Sequence, residues 1–153
     1  PCCSSASPVD LVGARATSET PALLLFDVLR GEHPLGRFGQ LLRSAFLGGH
    51  ATEWGPRALV DAALREDGLP SISLGRLRFR LGQYPPEDAR HCPRLTATLD
   101  ALTARLDDLP AKDTPGAWAG HLQRLLLTAG WPGDRPLDSE EYQQHERFKR
   151  VFS

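Results

Sequence analysis

The chain has 153 residues, 41% hydrophobic and 24% charged, with a formal net charge of −1, which suits one domain with a single core. The near-neutral balance excludes a module that is basic in bulk, so any contact with DNA has to come from a local patch. No apolar run approaches the roughly 20 residues that cross a bilayer, and Pro1-Cys2-Cys3-Ser4-Ser5 lacks the charged-then-apolar order of a secretory signal.

Residues 1–18 are rich in Ser, Ala and Pro without apolar periodicity and read as an extended lead-in; residues 19–153 read as one helical domain. Thr20-Pro21 has the cap-then-proline order of a helix start, and Leu23, Leu24, Phe26, Val28 and Leu29 make a short, largely buried helix ending at Gly31. Pro34 opens a second helix, with Leu35, Phe38, Leu41, Leu42 and Phe46 at spacings of three and four and Gly48-Gly49 as its stop. Thr52 is the expected cap of a third helix that ends at Gly68. Its predicted inner face is Trp54, Ala58, Leu59, Ala62, Ala63 and Leu64, and its solvated face Arg57, Asp61, Arg65 and Glu66.

Residues 72–83 fit two readings. Leu77, Phe79 and Leu81 alternate with Arg76, Arg78 and Arg80 as in a half-buried strand; Leu74, Leu77 and Leu81 also share one helical face, with Ser73 as cap. A lone strand finds no partner elsewhere in the chain, which favours a short helix. Pro93 starts a long amphipathic helix carrying Leu95, Leu99, Leu102, Leu106 and Leu109, and Thr114-Pro115 starts another with Trp118, Leu122, Leu125 and Leu126 inward. Asp138, three residues before Glu141, makes a capping box for a last helix with Tyr142, Phe148 and Val151. The predicted architecture is all-α, about seven helices without a sheet.

Chemistry-bearing patterns are scarce. Neither phosphate-binding glycine loop is present, and no cofactor is expected. Neither Lys112 nor Lys149 has a carboxylate two residues before it, so the Asp/Glu-x-Lys centre of an Mg²⁺-dependent nuclease is missing. Cys2, Cys3, His91 and Cys92 carry metal-binding atoms, but two adjacent pairs do not match a tetrahedral site; small structural thiols are the simpler reading. Three cysteines, two of them adjacent, make no disulfide framework, and a reducing cytoplasm is the expected setting. Arg76, Arg78 and Arg80, joined by Arg37 and Arg43, form the candidate phosphate patch, since guanidinium binds phosphate bidentately and keeps its charge. A solvated arginine face, salt-bridged to nearby acids, is the alternative. Of the tryptophans, Trp131 lies in a loop and is expected to cap the core from there.

Three blocks carry a resemblance. They are Leu41-Leu42-Arg43-Ser44-Ala45-Phe46-Leu47-Gly48-Gly49, Ala63-Leu64-Arg65-Glu66-Asp67-Gly68-Leu69-Pro70, and Gly130-Trp131-Pro132-Gly133-Asp134-Arg135-Pro136-Leu137-Asp138-Ser139-Glu140-Glu141-Tyr142-Gln143. Together they resemble an internal piece of the proteobacterial "probable DNA repair protein" family, helicase-like proteins with a nuclease domain, similar to AddB and RecB. Ala45 departs from that pattern, where relatives tend to have Pro. The resemblance implies a helical insertion between the helicase motifs and a PD-(D/E)XK nuclease. Such a piece is a non-catalytic scaffold, a possible DNA contact in double-strand-break processing, packed on the remaining domains of its parent or on a helicase–nuclease partner subunit. The absence of Met, and an end at Phe152-Ser153 with no stop signal, agree with a segment of a longer polypeptide.

A second reading belongs to another class: a protein–protein interaction module without DNA contact. Clustered Arg side chains favour the first, a contiguous exposed apolar face the second.

Overall fold

The structure, a computed structural model, describes residues 19–150. The expected lead-in over residues 1–18 and the position of Val151 lie outside these. The described residues form seven helices: α1 (Glu19–Val28), α2 (Leu35–Leu42), α3 (His50–Glu66), α4 (Leu74–Leu81), α5 (Pro93–Asp107), α6 (Pro115–Thr128) and α7 (Ser139–Arg150). The fold is all-α, as the periodicities predict.

One small sheet adds to it. Strands β1 (Glu32–Pro34) and β2 (Ser71–Ser73) pair antiparallel, with Glu32 opposite Ser73, His33 opposite Ile72 and Pro34 opposite Ser71. The expectation that a strand near residue 72 lacks a partner is thereby corrected. The partner is a three-residue run containing Pro34, too short for a period-2 pattern and spoiled by a residue that cannot donate to a ladder. Each strand runs straight into a helix, and the two units match: Leu35-Gly36-Arg37 follows β1 as Leu74-Gly75-Arg76 follows β2. Leu35, Phe38 and Leu42 are buried in the first unit, and Leu74, Leu77 and Leu81 at the corresponding places in the second. The paired strands thus relate two similar strand–helix units by an approximate local two-fold.

Residues 72–83 resolve into the end of β2 followed by α4. Ser73 caps α4 by accepting the Arg76 N–H at 3.3 Å, and Phe79 stands 67% exposed. That rules out the strand in which Leu77, Phe79 and Leu81 would share a buried face.

Helix α2 stops at Leu42, short of Gly48, because the Ser44 hydroxyl accepts the Phe46 N–H at 3.2 Å and turns the chain. Helix α3 is capped at Gly49 rather than at Thr52, whose hydroxyl instead donates back to the Gly49 carbonyl at 3.2 Å. The capping box of α7 forms as read: the Asp138 carboxylate accepts the Glu141 N–H at 2.8 Å, and the Glu141 carboxylate accepts the Asp138 N–H at 3.0 Å. The core collects Leu25, Val28, Phe38, Leu42, Val60, Leu64, Leu77, Leu95, Leu99, Leu102, Leu125 and Leu126 from α1 to α6 and Ile72 from β2, and α7 adds Phe148.

Candidate functional site

The first and third of the family-like blocks meet in space, and their residues clamp one loop on another. The Gly48 N–H donates to the Ala129 carbonyl at 2.9 Å. Gly130 lies so close to Gly48 that a Cβ on it would stand 2.7 Å from the Gly48 Cα, and its φ of +73° already favours glycine. At Gly133, φ +99°, a Cβ would fall 2.2 Å from the Ala45 carbonyl oxygen. Asp134 accepts the Gly49 N–H at 2.6 Å, at the start of α3. Arg135 lies 5.2 Å over the Phe46 ring and holds Glu141 with two bonds of 2.8 and 2.5 Å. Trp131 is buried and packs edge-on against Phe148 with ring centroids 5.3 Å apart, capping the core from its loop. Each unusual residue of this block therefore has a structural task.

Beneath the clamp lies a polar group that the helical pattern hides. Glu53 and Arg57 are both buried, Arg57 at 0% exposure. Arg57 Nη2 donates to the Gly48 carbonyl at 2.6 Å and to Glu53 at 3.1 Å. The Glu53 carboxylate also accepts the N–H groups of Arg94 at 2.6 Å and Leu95 at 3.0 Å. Pro93 and Cys92 supply no side-chain cap for α5, so Glu53 satisfies its first orphan donors from another helix. Arg57 Nη1 and His50 Nδ1 are buried without a hydrogen-bond partner among the described residues. Burial first, then the charges of Arg57 and Arg135, hold the His50 pKa below its usual value, with Asp134 opposing.

This arrangement turns α3 over relative to expectation. The buried side is Glu53, Arg57, Val60, Asp61 and Leu64, so Arg57 and Asp61 leave the predicted solvated face. Trp54 is 66% exposed and Leu59 47%, and Ala51, Ala58 and Ala62 face solvent beside them. Val60 and Leu64 bury fully, and Glu53 and Arg57 bond three backbone groups that would otherwise lie unpaired. Alanines on the opposite face offer little transfer energy against that. The result is an apolar stripe of α3 pointing at water.

Four of the five candidate DNA-contact arginines are engaged with carboxylates. Arg37 binds Asp27, Arg43 binds Asp61, and Arg80 binds Asp67. Arg78 bonds Asp100 of α5 at 2.8 Å. Arg76 is exposed and has no ion pair among the described residues. Pairs of this kind at the surface are weak and exchangeable.

Among the described residues no three His, Cys, Asp or Glu side chains gather as metal ligands; Cys2 and Cys3 lie outside them. Cys92 is buried, and desolvation followed by the Glu53 charge pushes its thiol up to about 12. His91 Nδ1 is bound to the Tyr84 carbonyl at 2.9 Å. The pair Asp113–His121, 3.1 Å apart, resembles half of an acid–base relay, but the other imidazole nitrogen faces Arg124 at 3.0 Å and not a nucleophile. A small apolar cavity of about 180 Å³ lies between α6 and α7, lined chiefly by Leu126, Leu127, Trp131, Pro132 and His145. No helix among the described residues is long and apolar enough to cross a membrane.

The comparisons with known proteins correct the family resemblance. The chain is similar to the chaperone protein HtpG of Rhodospirillum rubrum, at 37% identity over 103 residues. The match covers 51% of this chain and 16% of that protein. That relative is named as a chaperone and not as a DNA-repair helicase–nuclease, so the resemblance to the "probable DNA repair protein" family does not hold, nor does the nuclease parent it implied. The first and third of the blocks behind that resemblance are accounted for by the Gly48–Gly130 contact and the Asp134 and Glu141 bonds. No family model matches the chain, and no solved structure matches it.

Proposed function

We propose that this chain is a non-catalytic protein-docking module whose working surface is the outer face of α3. The observation that carries it is the outward stripe of Ala51, Trp54, Ala58, Leu59 and Ala62 on a helix whose mid-helix charges, Glu53, Arg57 and Asp61, lie inside. The internal bonds of Glu53 and Arg57 set the phase of α3 and leave a tryptophan in water; a surface that another protein covers gives that exposure a purpose. Similarity to a protein named as a chaperone points the same way. A reducing, cytoplasmic setting agrees with Cys92 as a free thiol.

DNA contact is the competing reading, and it rests on Arg76 with its ion-paired neighbours Arg78 and Arg80. One experiment separates the two. A photo-crosslinking residue replaces Trp54 in the producing cell, with Arg105 on α5 as control, and the captured protein is purified and titrated against the wild-type chain. Docking through α3 predicts binding that Trp54→Glu weakens at least about tenfold, a desolvated tryptophan being a frequent hot spot. Labelled duplex and forked DNA are titrated in parallel over a salt series. Binding that falls steeply with salt and disappears in Arg76→Ala/Arg78→Ala/Arg80→Ala, with no crosslink from position 54, would overturn the docking reading.

A further inference from the structure

Resting on that reading of α3, we propose that the occupant of its outer face is a second copy of this chain, seated by antiparallel pairing of the two α3 helices. The face has the composition of a self-complementary surface. Trp54 and Leu59 are large and exposed, while Ala51, Ala58 and Ala62, together with the half-buried Gly55, are small. Set antiparallel about a two-fold near Ala58, Gly55 of one copy meets Ala62 of the other. The backbones approach closely there, and each Trp54 folds over the small residues opposite.

Charge fixes the direction. The charged side chains in the middle of α3, Glu53, Arg57 and Asp61, lie on its inner side, so the face between Ala51 and Ala62 is uncharged. Glu66 is exposed in the last turn, one turn beyond Ala62, and has no ion pair among the described residues. Antiparallel pairing brings each Glu66 to the N-terminal end of the other α3, where the exposed Arg94 lies beside Gly49 and its bound Asp134; parallel pairing sets the two Glu66 carboxylates side by side. The 17 residues of α3 extend about 25 Å. A contact of that length falls near or below the roughly 1,200 Å² of stable complexes, so the dimer forms in the micromolar range and not below it.

Sedimentation equilibrium of the whole chain tests this, over about 5 to 500 μM, in a Cys2→Ser/Cys3→Ser background. The expected result is a reversible monomer–dimer equilibrium. Trp54→Glu or Leu59→Glu weakens it by about fiftyfold or more, and Glu66→Arg by about tenfold, all with unchanged helix content. In the same background Ala58→Cys, at the axis, forms an intermolecular disulfide faster than Ala51→Cys, which faces the far end of the other helix. A chain that stays monomeric throughout, or a dimer indifferent to Trp54→Glu and Leu59→Glu, overturns the proposal. A monomer whose position 54 still crosslinks to another protein leaves the docking reading standing and removes only the second copy. A monomer with no such crosslink removes both.

Discussion

The Glu53 carboxylate holds the Arg57 guanidinium at 3.1 Å inside the molecule, and the pair ties three segments together. Arg57 fixes the loop at Gly48, and Glu53 fixes the first turn of α5 at Arg94 and Leu95. Removing one charge leaves the other buried and two backbone donors unpaired. Glu53→Ala is therefore expected to cost about 3–5 kcal/mol, read from urea unfolding at neutral pH. The double variant Glu53→Gln/Arg57→Met should be less destabilised than the sum of its single changes, since each single change strands its partner.

The contact between the two loops makes a second, sharper prediction about glycine. Gly133→Ala places a methyl group against the Ala45 carbonyl in a left-handed conformation, and Gly130→Ala drives one into the Gly48 backbone. Each should destabilise by roughly 2–4 kcal/mol. Gly120, inside α6, is the control: a Cβ there meets only the flexible end of Arg124, at 3.8 Å. Gly120→Ala should raise stability by roughly 0.5–1 kcal/mol. Equal effects at positions 120 and 133 would show that the loops are not clamped.

Much of the fold was legible in the sequence, and the misses have physical causes. The caps Ser73, Thr114 and Asp138 formed as read, because each bonds its own helix. The stripes of α4 and α5 were legible because leucine dominates them and nothing competes. Helix α3 was misphased because its inner face is set by bonds to Gly48, Arg94 and Leu95, partners up to 42 residues away. Arg57, Asp61 and Arg65, at intervals of four, look like a solvated ladder of charges; Arg65 is exposed, but nothing local marks Arg57 and Asp61 as buried. The strand pair escaped because three residues carry no period. The first and third family-like blocks marked a real feature, the loop clamp, whose glycines are geometric necessities and name no reaction.

Stability should depend on pH through two histidines. Burial, then Arg57 and Arg135, lowers the His50 pKa; burial, then Lys149, lowers that of His145. Each folded-state pKa thus lies below the unfolded value of 6.5. The unfolded chain binds the proton first, so stability is full above 6.5 and falls as the pH drops from there towards each folded pKa. The urea midpoint should be flat above about pH 7 and decline as the pH falls below about 6.5. His50→Gln should flatten part of that decline. A midpoint that rises on acidification over this window would contradict the buried, neutral state of these rings.

The reactivity of Cys92 is set by burial first and by the neighbouring Glu53 charge second. Its thiol sits among buried side chains at the start of α5, and desolvation and the neighbouring Glu53 charge push its pKa to about 12. At pH 8 almost none of it is thiolate, the form that attacks a disulfide reagent. In a Cys2→Ser/Cys3→Ser variant, labelling of the native chain by an aromatic disulfide reagent should therefore be slower than that of a free thiol by at least about a hundredfold. It should become fast only in denaturant. Combining this variant with Glu53→Ala separates the two causes. If the carboxylate contributes beyond burial, labelling accelerates even under conditions where the protein remains folded by circular dichroism; if burial alone protects the thiol, the rate changes only in step with unfolding.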